Sequence, residues 1–139
     1  MKVKKQMLAT MLILALSIAM LPEGKIGAAE RGTTSVEVTF DNSVTVRGSS
    51  TIALYMASGS TSATYYNSAV TCKVSSTYRA VKSLTLDDYI ATGSSESTSS
   101  AVVSFLCPDD FHSESISSDH EASYNGHNWN SHTDAVIYP

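Results

Sequence analysis

Residues 114–138 constrain the fold more than any other stretch, because folding them about Asn125-Gly126 sorts their side chains into two chemically different faces. An Asn-Gly pair supplies the positive φ angles of a two-residue type I′ turn, so the segment is predicted to be a β-hairpin. That turn sets Tyr124 opposite His127, Ala122 opposite Trp129, His120 opposite Ser131 and Asp119 opposite His132. One face then carries Ile116, Ser118, His120, Ala122 and Tyr124 against Ala135, Thr133, Ser131, Trp129 and His127. The other carries Ser117, Asp119, Glu121 and Ser123 against Asp134, His132, Asn130 and Asn128. A one-residue slip would scatter the bulky apolar groups over both faces. The register also makes Trp129 an expected core residue.

The rest of the chain is punctuated like an all-β protein. Val36, Val38 and Phe40 alternate with polar residues after a lead-in at Arg31–Thr34, and Val44 and Val46 continue the alternation after a turn at Asp41-Asn42-Ser43. Arg47-Gly48 and Ser58-Gly59-Ser60 read as turns on either side of a third strand with Ile52, Leu54 and Met56. Residues 63–75 form a longer strand with Tyr66, Val70, Cys72 and Val74 on one face, and residues 78–91 are predicted as strand. Residues 92–100 are nearly all Ser, Thr, Gly and Glu, which reads as an exposed loop or flexible hairpin tip. Ala101, Val103, Phe105 and Cys107 alternate inward along another strand, ended by Pro108-Asp109-Asp110. Seven or eight short strands at this spacing predict an antiparallel β-sandwich with a C-terminal hairpin.

At the N-terminus, Lys2, Lys4 and Lys5 precede an apolar run from Met7 to Leu21 and then the small residues Gly27, Ala28 and Ala29. This is the layout of a secretory signal peptide, expected to be cleaved after Ala29 to leave a single domain over 30–139. The run is shorter than the roughly 18 residues a membrane-spanning helix needs, so no span is expected after cleavage. The leader takes 4 of the 9 Lys and Arg but only 1 of the 13 acids, which leaves 5 minus 12, a formal charge of -7. No Lys or Arg follows Lys82. Nucleic acid and anionic membrane are therefore poor partners, whereas a cationic peptide or basic protein surface suits the acidic half. Cys72 and Cys107, both inward by phase in an exported chain, are expected to form one disulfide.

No familiar catalytic motif is present. There is no GxSxG, no glycine-rich phosphate loop and no HExxH, and His120-Glu121 would point to opposite faces of a strand. Serine is too abundant for a Ser/His/Asp triad to be read from sequence, and Asp87-Asp88 and Asp109-Asp110 are turn carboxylates. His112, His120, His127 and His132 all lie in the last quarter of the chain. A metal site would have to be drawn from His132, Asp119 and Glu121, but the hairpin divides the histidines between faces, so neither metal nor other cofactor is expected. Tyr55, Tyr65, Tyr89 and Tyr138 are the candidates for an aromatic ligand-binding platform. The chain thus reads as a secreted, non-enzymatic extracellular protein of a bacterium that binds a cell-wall glycan, peptide or protein. The alternative is a small exported antimicrobial or toxin-like effector.

Overall fold

The computed structural model describes residues 31–137, apart from 42, 65, 66 and 83; the leader, Tyr65, Tyr66 and Tyr138 lie outside the described residues. Among these residues all regular structure is β. There are eight strands: β1 (Arg31–Phe40), β2 (Val44–Ala53), β3 (Met56–Ala63), β4 (Thr71–Val81), β5 (Asp88–Thr98), β6 (Ser100–Leu106), β7 (His112–Tyr124) and β8 (His127–Val136). They form two four-stranded antiparallel sheets, β1-β2-β3-β6 and β5-β4-β7-β8. The C-terminal hairpin has the register set by its turn, from Tyr124 opposite His127 to Asp119 opposite His132. Asn125 and Gly126 carry φ of 48° and 78°, as a type I′ turn requires.

Alternate residues of each strand point between the sheets and are buried there in two apolar clusters. The first holds Phe40, Val46, Val70, Cys72, Val74 and Ala122, with Trp129 packed against it from a half-buried position. Trp129 is therefore a flank of the core rather than its anchor. The second holds Ile52, Tyr78, Ala80, Ile116 and Ala135. Tyr78 stacks on Phe105 with ring centroids 5.4 Å apart and shares a 2.8 Å hydrogen bond with Ser113.

Between the clusters runs a buried polar belt. The Thr61 hydroxyl donates to the Lys73 carbonyl at 2.9 Å, so it accepts from Nδ1–H of His120, also at 2.9 Å. That leaves Nε2 of His120 to accept from the Thr133 hydroxyl at 2.7 Å. Thr133 Oγ1 lies 2.7 Å from Ser50 Oγ, Ser50 donates to Ser118 at 2.7 Å, and Ser118 lies 2.9 Å from Ser76. Buried polar groups are costly unless bonded, and this belt supplies partners from both sheets.

The belt explains where the strand boundaries differ from expectation. Gly48 and Gly59 are not turns but sit in mid-strand, because a Cβ on Gly48 would strike the His120 ring and one on Gly59 would strike the hydroxyls of Ser76 and Ser118. The turn between β2 and β3 is at Leu54-Tyr55, and 64–70 connects β3 to β4. Residues 31–34 pair with β2 rather than leading in. Residues 92–98 are not a loop but the body of β5, an edge strand exposed on one face, which has no need of an apolar pattern there.

The expected disulfide is absent: Cys72 and Cys107 are both free thiols. The Cys72 side chain lies against the main chain of Ala63, at one end of β3, while Cys107 N–H donates to the carbonyl of Tyr55, just before the other end. Eight residues of strand separate those points, about 25 Å, whereas a disulfide needs Cα atoms within about 7 Å.

The two sheets are joined by one nearly continuous strand pair. β5 ends and β6 begins on either side of Ser99, whose φ of 69° turns the chain from one sheet into the other. Ser99 N–H donates to the Val70 carbonyl, its own carbonyl accepts from Ala63, and its hydroxyl accepts from Asn67 N–H.

Candidate functional site

The outer face of the β5-β4-β7-β8 sheet carries the residues of the polar hairpin face together with those that β4 and β5 set beside them. Register places them in rows across the strands: Thr98, Thr71, Ser123 and Asn128; then Glu96, Lys73, Glu121 and Asn130; then Ser94, Ser75, Asp119 and His132; then Thr92, Thr77, Ser117 and Asp134. Two shallow grooves lie along this face. One, of about 390 Å³, is lined by side chains that include Thr71, Lys73, Glu96, Glu121, Asn128 and Asn130. Ala122 and Trp129 also border it, from strand positions whose side chains alternate to the inner face. The other, of about 410 Å³, is lined by Ser75, Thr77, Thr92, Ser94, Ser117 and Asp119.

Several charged groups on this face are paired. Lys73 Nζ lies 3.2 Å from Glu121 Oε1. Arg79 reaches Asp88 at 2.9 Å and Glu114 at 2.6 Å; Glu114 is the extra residue of a bulge that shifts the β4–β7 register between Arg79 and Ala80. His132 Nδ1 lies 2.7 Å from Asp119 Oδ1, and its Nε2 lies 3.1 Å from both Asp134 Oδ1 and Ser117 Oγ.

Ser117, His132 and Asp119 thus stand in the order of a hydrolase triad, with a second carboxylate, Asp134, added to it. The hydrogen bond to Asp119 is the main cause that raises the His132 pKa above its ordinary value; slight burial opposes it, and Asp134 adds to it. Asp134 competes with Ser117 for Nε2, and the Ser117 hydroxyl is the main cause that lowers the Asp134 pKa. The serine proton is thereby directed to a carboxylate. Because β7 lies between β4 and β8, main-chain N–H groups around Ser117 are engaged in the ladders. The cluster is an exposed ion-pair network.

Of the residues singled out from sequence, Asp119 and His132 meet, while Tyr65 and Tyr138 lie outside the described residues. Tyr55 is on the β2–β3 turn, exposed, while Tyr89 in β5 lies edge-on to Tyr78 and Phe111 with centroids 6.4 and 6.2 Å away. Of the four histidines, His132 is on the outer face, His120 in the buried belt, His127 exposed beside the Asn-Gly turn and His112 half-buried at the start of β7. Glu121 pairs with Lys73 rather than facing His132. Among the described residues no group of three or more His, Cys, Asp or Glu is placed to hold a metal ion. Lys73, Glu96, Thr77 and Thr92 were not legible as site residues, since reading 92–100 as a loop removed the strand that brings their neighbours alongside.

A second surface lies at the end of the sandwich remote from Asn125-Gly126. There Leu84 and Leu86 are 94% and 81% exposed on the loop between β4 and β5. Leu106 and Tyr55 lie nearby, on adjoining chain ends joined by the hydrogen bond from Cys107 N–H to the Tyr55 carbonyl. No known family model matches the chain, and no curated protein matches it.

Proposed function

We propose that this is a non-enzymatic binding module, exported from a bacterial cell by the leader at 1–29, that holds an extended hydroxyl-rich ligand such as a cell-wall glycan across the outer face of the β5-β4-β7-β8 sheet. The observation that carries the reading is the run of two grooves along β4 from Thr71 to Thr77. The six steps of strand from one to the other make a strip about 20 Å long. Hydroxyl and amide side chains both donate and accept hydrogen bonds, which is what a polyol requires of its binder. The Lys73–Glu121 and His132–Asp119 pairs hold longer side chains in place before a ligand arrives, which lowers the entropy cost of binding.

The test is co-sedimentation of the mature protein with purified bacterial cell-wall glycan. Retention is expected, with at least tenfold weaker binding in a Lys73→Ala/Asn130→Ala variant. Absence of retention on any cell-wall glycan would remove the reading. Export is checked separately, by N-terminal sequencing of secreted protein, which should begin at Glu30. The exposed Leu84 and Leu86 favour the second reading, an antimicrobial or toxin-like effector; growth inhibition of related strains by the purified protein would establish it.

A further inference from the structure

The apolar end described above is built from four chain connections brought together. Leu54-Tyr55 turns β2 into β3, 82–87 joins β4 to β5, 107–111 joins β6 to β7, and β8 ends at Val136. They are tied to one another: Ser113 N–H donates to the Leu54 carbonyl at 2.8 Å, Lys82 Nζ lies 3.6 Å from Asp110, and Ile137 N–H donates to the Glu114 carbonyl at 3.0 Å. Tyr55, Leu84, Leu86 and Leu106 are exposed there. On the rest of the described surface the sheet faces are tiled with Ser, Thr and charged residues. An apolar patch confined to one end of so polar a molecule marks a contact surface rather than scattered leftovers.

Its rim is acidic. Asp87, Asp88, Asp109, Asp110 and Glu114 lie on the same connections or beside them, together with Arg79 and Lys82. Arg79 is committed to Asp88 and Glu114, and Lys82 to Asp110. No ion pair among the described residues engages Asp87 or Asp109. That charge disfavours an anionic bilayer and, by like-charge repulsion, a second copy of this end.

We propose that this end docks a polypeptide segment that is both apolar and cationic, with its apolar side chains seated on Leu84, Leu86 and Leu106 and its Lys or Arg side chains meeting Asp87 and Asp109. Leu84, Leu86 and Leu106 stand beyond the grooves of the outer sheet face, so the molecule presents one polar and one apolar contact region.

Fluorescence anisotropy with the mature protein tests this. The probe is a labelled amphipathic peptide of Leu and Lys, compared with the same peptide carrying Glu in place of Lys. The cationic peptide should bind at least tenfold tighter, with affinity that falls as salt rises. Leu84→Ser/Leu86→Ser should weaken it at least tenfold, and because both side chains stand in solvent the variant should keep the wild-type circular dichroism. Asp87→Asn/Asp109→Asn should reduce the preference between the two peptides, while Asp119→Asn on the sheet face should leave it unchanged. Equal binding of both peptides, or binding indifferent to the leucine changes, overturns the proposal. So does a concentration-dependent dimer in sedimentation that the leucine variant abolishes, or partition onto phosphatidylcholine vesicles in preference to the cationic peptide.

Discussion

A Cβ on Gly48 would stand 2.5 Å from Cγ of His120, so the imidazole occupies the space that any larger residue at position 48 would need. Gly48 and His120 belong to different sheets, and their contact is where the sheets approach in the polar belt. Gly48→Ala must therefore push a fully buried ring whose two nitrogens are both bonded. We predict a loss of about 1–3 kcal/mol, the usual cost of overpacking, measured by urea denaturation. A variant as stable as the wild type would mean that the ring does not sit there.

The belt makes stability fall in acid. Burial is the main cause that pushes the His120 pKa down, to about 4; the charge of His132 adds to the effect and Asp119 opposes it. The folded state thus holds the ring neutral while the unfolded chain, with a His pKa of about 6.5, binds a proton first. The contribution is fully present above pH about 6.5 and is lost as pH falls from there through about 4. The difference corresponds to about 3 kcal/mol, order of magnitude. Unfolding free energies at pH 7 and pH 4.5 should show the loss, and a His120→Gln variant should flatten the profile across that window.

His132 works in the opposite sense. Its pKa is raised, chiefly by the hydrogen bond to Asp119, so its contribution is complete below the unfolded value and disappears as pH rises through the folded one. The ring is half exposed, and solvent screening limits the gain to about 0.2–1 kcal/mol. NMR titration should find His132 titrating above the unfolded reference and His120 well below it. Asp119→Asn should return His132 towards the reference.

The two thiols should remain separate and react unequally. Burial pushes the Cys72 thiol pKa up, with a smaller opposing effect from a main-chain hydrogen bond, and the side chain is fully enclosed. Cys107 is only half-buried. Alkylation of the native protein should label Cys107 first, and Cys72 at a rate set by opening of the fold. Mass spectrometry of non-reduced protein should find no mass loss from an internal disulfide.

The hairpin was legible because three local signals agree in it: an Asn-Gly turn, strict alternation, and a register that alone gathers its apolar groups. Elsewhere local and tertiary signals part company. Gly48 and Gly59 resemble turn punctuation, yet their lack of a side chain answers to His120, Ser76 and Ser118 on the other sheet, residues 17 to 72 positions away in the chain. β5 lacks an apolar pattern because it is an edge strand, and its Gly93 makes room for Val103. Inward phase alone suggested that Cys72 and Cys107 meet; phase fixes the face a residue points to but not its height along the strand. The Asp119–His132 pair was legible from register, whereas Asp134 is reached along the same strand through the other ring nitrogen, a contact that depends on side-chain rotamer rather than on cross-strand pairing.

Ser99 has a consequence for how the molecule comes apart. Through it β5 is hydrogen-bonded into one sheet and β6 into the other, with the corner itself bonded to Val70, Ala63 and Asn67. Peeling away either sheet must drag on a strand that the other sheet still holds, so the two layers are mechanically coupled and should melt in a single step. The same coupling delays assembly: β6 pairs with β3 only after the 36 residues from 64 to 99 have been brought round, and such sequence-distant closure slows folding. The molecule is thus expected to fold late and then hold together as one cooperative unit.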